Sequence, residues 1–236
     1  MPHSRRSPIR AEVRVALFAT ACGVLPACGG RSAATHEAPP STSSYCQKWP
    51  NDPIYCNGSP QLSAEAAMQN LDAEGLVGAD ERLIRLQCSP DAGVTPDGEQ
   101  DLQPGGGWMF TLENPDSQTE RIEIGAQVLG PEPDVSRPEC AGQSITVDGI
   151  SADVKTAVEH VTAQYGVDFA PGTWSIFLAR ETACMATSGL ARTVVEFQLD
   201  NASARFVTAE FDGNDAFVGL CEVGGQLRGC RQVASP

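Results

Sequence analysis

Val195, Phe197 and Leu199 are apolar, and Glu196 and Gln198 between them are polar. This two-residue alternation recurs along the chain and constrains the fold more than any other feature. Successive side chains of a strand point to opposite faces, so each such run predicts a strand with one apolar and one wet face, the pattern of an antiparallel sheet. Val207, Ala209 and Phe211 alternate with Thr208 and Glu210. Earlier, Ile84, Leu86 and Cys88 alternate with Arg85 and Gln87, and Trp108, Phe110 and Leu112 with Met109, Thr111 and Glu113. Ile122, Ile124, Ala126 and Val128 share the spacing. Further strands are expected over 144–147, 174–179, 216–223 and 226–233. The connections 200–203, 212–215 and 224–225 are rich in Asp, Asn and Gly, which favour hairpin turns.

Two segments carry the helical period instead. Ala64, Ala67, Met68 and Leu71 fall at i, i+3, i+4 and i+7, with Ser63 as N-cap, Glu65 in the first turn and Gly75 as the stop. Val154, Ala157, Val158, Val161 and Tyr165 form a second stripe, with Ser151 as its cap, Asp153 in the first turn and Gly166 at its end. An apolar helix stripe and an apolar sheet face bury each other most simply by packing together. The expected class is therefore α+β. Residues 45–130 read as one helix-plus-antiparallel-sheet module. Residues 142–236 read as a second, a four-stranded meander packed on one helix. The two are either separate or joined in one continuous sheet. The intervening stretch from Gly130 holds Pro131, Pro133 and Pro138 and breaks both periods, so the boundary is placed there. Residues 89–107 read as a long polar loop, mobile or functional.

The N-terminus is of another kind. Arg5, Arg6, Arg10 and Arg14 precede an apolar run over 15–27, which reads as a secretory signal and is too short for a transmembrane helix. The run closes on Leu25-Pro26-Ala27-Cys28. This resembles the lipobox of bacterial lipoproteins, with Pro26 a departure from the usual pattern; Cys22 after Ala19-Thr20-Ala21 is a weaker match. The resemblance implies that Cys28 receives a diacylglycerol thioether, with palmitate-like acyl chains, and becomes the first mature residue after 1–27 is removed. It implies a membrane anchor in the cell envelope. Gly29 after the cysteine points to the outer membrane. Residues 28–44 are small, polar and proline-bearing, and read as a flexible tether.

The chain carries a net charge of −14 and only two lysines, Lys48 and Lys155. The leader holds four arginines and one glutamate, so the mature protein is more acidic still. Such a protein repels phosphate backbones, and nucleic acid is not an expected partner. Seven of the nine cysteines lie after the tether: Cys46, Cys56, Cys88, Cys140, Cys184, Cys221 and Cys230. Outside the cytosol they read as disulfides with at least one cysteine left over. Two local pairs are expected. Cys46 and Cys56 bracket a turn-forming segment, and Cys221 faces Cys230 if the hairpin loop between them is four residues long, 224–227.

No catalytic constellation emerges. His160, the one histidine of the body, falls at the flank of its helix stripe. Cys184 is the single cysteine that could serve it as a nucleophile in a thiol-dependent hydrolase. Metal ligands lack zinc spacing, and Asp212-Gly213-Asn214-Asp215 reads as a hairpin turn rather than a calcium loop. No cofactor is expected. Trp108 and Trp174 sit in core register, while Trp49 is the aromatic most open to solvent. Residues 61–130, a helix followed by strands of which one begins with an aromatic residue and one ends in glycine, resemble PepSY modules. Val128-Leu129 stand where that family has an acidic residue. The resemblance implies a protease-inhibitor-like regulatory role. The reading adopted is a non-enzymatic envelope lipoprotein. It holds the membrane through its lipid and binds an envelope protein or wall component through surface loops.

Overall fold

The structure is a computed structural model. It describes residues 43–236 except 53–54, 57–60, 90–91, 102–105, 126–127, 134–139, 141, 187, 201–204, 224–227 and 230–236. Cys28, the leader, the tether up to residue 42, Ala126 and Cys230 lie outside the described residues. In chain order the elements are α1 (Ser44–Lys48), β1 (Gln61–Ser63), α2 (Ala64–Ala73), β2 (Arg82–Cys88), β3 (Glu99–Asp101), β4 (Gly107–Glu113), β5 (Thr119–Gly125), β6 (Val128–Pro133), α3 (Ile150–Tyr165), β7 (Ser175–Glu181), β8 (Arg192–Asp200), β9 (Arg205–Asp212), β10 (Phe217–Val223) and β11 (Arg228–Gly229). The protein is mostly antiparallel strand with few helices.

Helix α2 forms where its local signals place it. The Ser63 hydroxyl accepts from the Ala66 N–H, as an N-cap does. At the other end Gly75 takes φ +67°, and the Leu76 N–H reaches back to the Leu71 carbonyl at 3.0 Å, closing a Schellman motif. Ala64, Ala67 and Leu71 are fully buried. Helix α3 ends at Gly166 as expected, but Ser151 does not cap it. Its N-cap is Gly149, in a left-handed conformation, with no side-chain bond. The helix starts earlier because the 148–149 turn leads straight into Ile150. Val154, Ala157 and Val161 are fully buried, while Val158 and Tyr165 pack at the rim of the core.

Nine strands make one sheet, in the order β11-β10-β9-β8-β7-β2-β4-β5-β6, all pairs antiparallel. The two halves of the chain meet at its middle, where Arg85, Leu86 and Gln87 pair with Glu181, Arg180 and Ala179. They do not form two separate sheets, because β2 offers its second edge to β7. Leu178, Val195, Ala209 and Leu220 lie across from one another on the inner face. Helix α3 covers that face over β8, β9 and β10 and touches α2. The opposite, outer face carries Gln87, Phe177, Ala179, Val194 and Glu196, all half-exposed.

Three stretches depart from the sequence reading. Strand β5 ends at Gly125, so Val128 does not prolong it. The chain turns back as β6, the outer edge of the sheet, where Val128 and Leu129 are exposed. Pro131 and Pro133 therefore belong to an edge strand, where a missing N–H is tolerated, and the first half runs on to Pro133. Residues 144–147 form no strand; the Ile145 N–H bonds the Leu83 carbonyl alone. The 89–107 segment is not simply a surface loop. Val94, Thr95 and Gln100 are completely buried, the Val94 N–H bonds the Ile176 carbonyl at 2.8 Å, and β3 within it pairs with β1.

Candidate functional site

The N-terminal entry to the body is tied down by one carboxylate. Asp97 accepts from the Ser43 hydroxyl (2.6 Å), the Ser44 hydroxyl (2.8 Å) and the Tyr45 N–H (2.8 Å). Burial raises the Asp97 pKa, and these bonds outweigh it, so the carboxyl sits below the ordinary aspartate value. Ser43 and Ser44 thus belong to the body and not to the tether. Cys46 and Cys56 are joined in a disulfide, as expected, with Cα atoms 5.4 Å apart. Tyr45 and Tyr55, each the residue before one of these cysteines, pack against Trp174. The Tyr55 and Trp174 rings stack at 4.8 Å, and Tyr45 meets Trp174 edge-on at 5.4 Å. Tyr45 donates to Asp52, and burial followed by that bond drives its phenol far above the ordinary range. Trp108 and Trp174 are buried, in line with their core register. Trp49 is half-buried beside Lys48, whose ammonium lies 5.3 Å from the ring.

The thiol and histidine considered for catalysis are not brought together. Cys184 is bonded to Cys140, with Cα atoms 5.5 Å apart, so in this form its sulfur is no thiolate. His160 stacks on Phe217 of β10 at 3.9 Å with the rings nearly parallel. Cys221 lies half-buried on β10, and the expected Cys221–Cys230 pair involves a residue outside the described set. The Asp212 turn forms as read: its carboxylate accepts from the Asn214 and Ala216 N–H groups.

Sequence reasoning missed Arg180. It occupies an inward position two residues after Leu178 on β7 and is 4% exposed. Every donor of its guanidinium is matched. Nε bonds the Thr193 hydroxyl (2.8 Å); Nη1 bonds the Thr146 and Asp148 carbonyls (3.0 and 2.8 Å); Nη2 faces Asp153 (2.7 Å) and Asp215 (2.9 Å). A cleft of about 160 Å³ opens beside it, bounded by Thr146, Thr193 and Gly213. With five donors occupied, the guanidinium has none to offer a ligand there. It ties the start of α3, the 146–148 backbone, β7, β8 and the β9–β10 turn into one unit. The detectable signal was an arginine in phase with Ile176 and Leu178.

A second hollow, of about 270 Å³, opens where β2 and β7 part. Their ladder stops at the Gln87–Ala179 pair. Beyond it the Leu178 N–H turns to the Cys88 sulfur at 3.1 Å rather than to a carbonyl. Cys88 and Leu178 floor the hollow, and Phe177, Ala179 and Val194 supply apolar wall. Gln87 and Glu196 add acceptor oxygens at its rim. The Cys88 thiol is pushed up to about 12 by burial, against the Leu178 bond that lowers it. The hollow is thus a mainly apolar depression with a carboxylate at its lip, on the sheet face that no described helix covers.

Among the described residues no group of three or more His, Cys, Asp or Glu side chains is placed to hold a metal ion. No described helix is long and apolar enough to cross a membrane. Comparison with protein-family models, curated proteins and solved structures returned no match.

Proposed function

We propose that the protein is an envelope lipoprotein, held at the outer membrane by acyl chains on Cys28, whose body binds another envelope component without catalysing a reaction on it. The observation that carries this reading is the pair of disulfides, Cys46–Cys56 and Cys140–Cys184. Disulfides persist in oxidising compartments and are rare in the cytosol, which agrees with a chain that opens on a signal-like leader ending in Leu25-Pro26-Ala27-Cys28. A diacylated cysteine carries more than one chain, as stable anchoring requires. The bonded state of Cys184 favours the binding role over a thiol enzyme. The outer sheet face around Phe177, Val194 and Glu196, rather than surface loops, offers the binding surface.

The test is metabolic labelling of the full chain in a bacterium with two membranes, using an alkyne fatty acid. The expected result is a labelled protein in the outer-membrane fraction, with the label lost in Cys28→Ser and kept in Cys22→Ser. An unlabelled wild-type protein, or one recovered reduced from the cytosol, overturns the reading.

A further inference from the structure

We infer that the hollow at the β2–β7 seam seats an arginine side chain of a partner protein, held by the Glu196 carboxylate. This rests on the binding role proposed above and names its chemistry. Three observations carry it. The first is charge. The described arginines of the outer face are already tied: Arg82 to Glu113 at 2.6 Å, Arg85 to Glu181 at 3.0 Å, Arg121 to Glu132 at 3.2 Å and Arg192 to Glu210 at 3.4 Å. Neither lysine of the chain lies on this face, since Lys48 is on α1 and Lys155 on α3. The Glu196 carboxylate has no ion pair or side-chain hydrogen bond among the described residues, and the residue stands across from Phe177 and Thr208, neither of which carries a charge. A carboxylate at the lip of an apolar hollow, in a protein of net charge −14, selects a cation.

The second is shape and lining. At about 270 Å³ the hollow stands at the small end of ligand-binding sites, which run to roughly 300–1,000 Å³. It suits one anchoring side chain of the kind that dominates protein interfaces. Phe177, Ala179 and Val194 meet an aliphatic stem, and an aromatic ring beside a carboxylate suits the planar guanidinium better than an ammonium. A carboxylate receives a guanidinium in two parallel bonds. The third is origin. The hollow lies where the ladder between the two halves of the sheet stops at the Gln87–Ala179 pair, so strand backbone sets its position between β2 and β7.

The probe is the tripeptide acetyl-Gly-Arg-Gly-amide, titrated into the lipidated, detergent-solubilised protein while the methyl NMR signals of Val194 and Leu178 are followed. The expected result is saturable movement of those signals. Binding should be about tenfold tighter than that of the citrulline peptide, which has the same shape without the charge. Glu196→Gln should abolish that preference, and Glu123→Gln, on the same face but outside the hollow, should keep it. Equal binding of the two peptides overturns the proposal, as does a preference that survives Glu196→Gln or is lost in Glu123→Gln. Methylguanidinium alone binding as tightly as the peptide overturns the protein partner and makes the site one for small cations. Any of these failures leaves the fatty-acid labelling result, and so the lipoprotein reading, untouched.

Discussion

Arg180 Nη2 lies 2.7 Å from Asp153 Oδ2, with both side chains at least nine-tenths buried. The same nitrogen lies 2.9 Å from Asp215 Oδ1, on a side chain that is 45% exposed. Two contacts of nearly equal length therefore differ in worth. Removing one partner of a buried pair leaves an uncompensated charge and costs about 3–5 kcal/mol, whereas an exposed pair contributes about 0–1 kcal/mol. Arg180→Met should destabilise the protein by the larger amount in urea denaturation. Asp215→Asn should cost at most about 1 kcal/mol, because asparagine also tolerates the φ of +60° found there. Burial pushes the Asp153 carboxyl up, and the bond and charge of Arg180 only partly offset it. In Arg180→Met that offset is gone. A carboxyl with a raised folded pKa gives stability that is present in acid and lost as pH rises through that value. The deficit of Arg180→Met should therefore be larger at neutral pH than in acid. Equal cost for both variants contradicts the role of burial.

Asp97 has the opposite sign. Its folded pKa lies below the ordinary 3.8 because the bonds from Ser43, Tyr45 and Ser44 outweigh burial. A carboxyl depressed in this way contributes stability above its unfolded pKa and loses it as pH falls through the folded value. Asp97→Asn cannot gain from that ionisation. Its melting temperature should fall short of the parent protein's at neutral pH, and the gap should narrow as pH drops below 3.8. A gap that stays constant in acid shows that the carboxylate's charge is not what holds Ser43 and Ser44.

The two disulfides should differ in worth by the chain they close. Cys140–Cys184 spans 44 residues and Cys46–Cys56 spans 10. Loop-closure entropy assigns about 4 kcal/mol to the first and about 2.7 kcal/mol to the second. The double variant Cys140→Ser/Cys184→Ser should therefore have the lower urea midpoint of the two double-serine variants. The reverse order would show that the aromatic packing of Tyr45 and Tyr55 on Trp174 depends more on its disulfide than chain entropy predicts.

Much of the fold was legible because its causes are local. Ser63, Gly75 and the spacing of Ala64, Ala67 and Leu71 define α2 within a dozen residues. Trp108, Phe110 and Leu112 announce the inner face of β4 by alternation alone. The seam was not legible, since β2 and β7 are separated by the whole of β3 to α3, and no period within either strand records which neighbour its second edge meets. Sequence separation, here 44 residues, likewise hid Cys140–Cys184. Val128 misled because alternation continued in phase through Ala126 while the backbone turned back toward β5. At Gly130, φ +110°, a Cβ would stand 2.6 Å from the Arg121 carbonyl, so glycine permits that close return. Arg180 was visible as a charge in an apolar phase, but its partners Asp153 and Asp215 come from elements read as helix start and turn, each with a sufficient local explanation. Glu196 looked like the ordinary wet face of a strand until its neighbours across β7 and β9 were in place.

Cys88 sits at the floor of the seam hollow yet should be chemically silent. It is 4% exposed, and its thiol is pushed up to about 12 by burial. The thiolate is the reactive form, so at mildly alkaline pH only a minute fraction of Cys88 can attack an electrophile, and little of that fraction is accessible. Native protein treated with iodoacetamide should yield an unmodified Cys88 peptide by mass spectrometry, and the same peptide should be fully alkylated when the protein is first unfolded in urea. Seating of a guanidinium in the hollow should not change the native result, because the sulfur stays buried and accepts from the Leu178 N–H. Rapid alkylation of Cys88 in the folded protein would mean that β2 and β7 separate readily beyond Gln87. The seam would then be a moving part, and a hollow of fixed shape could not be maintained there.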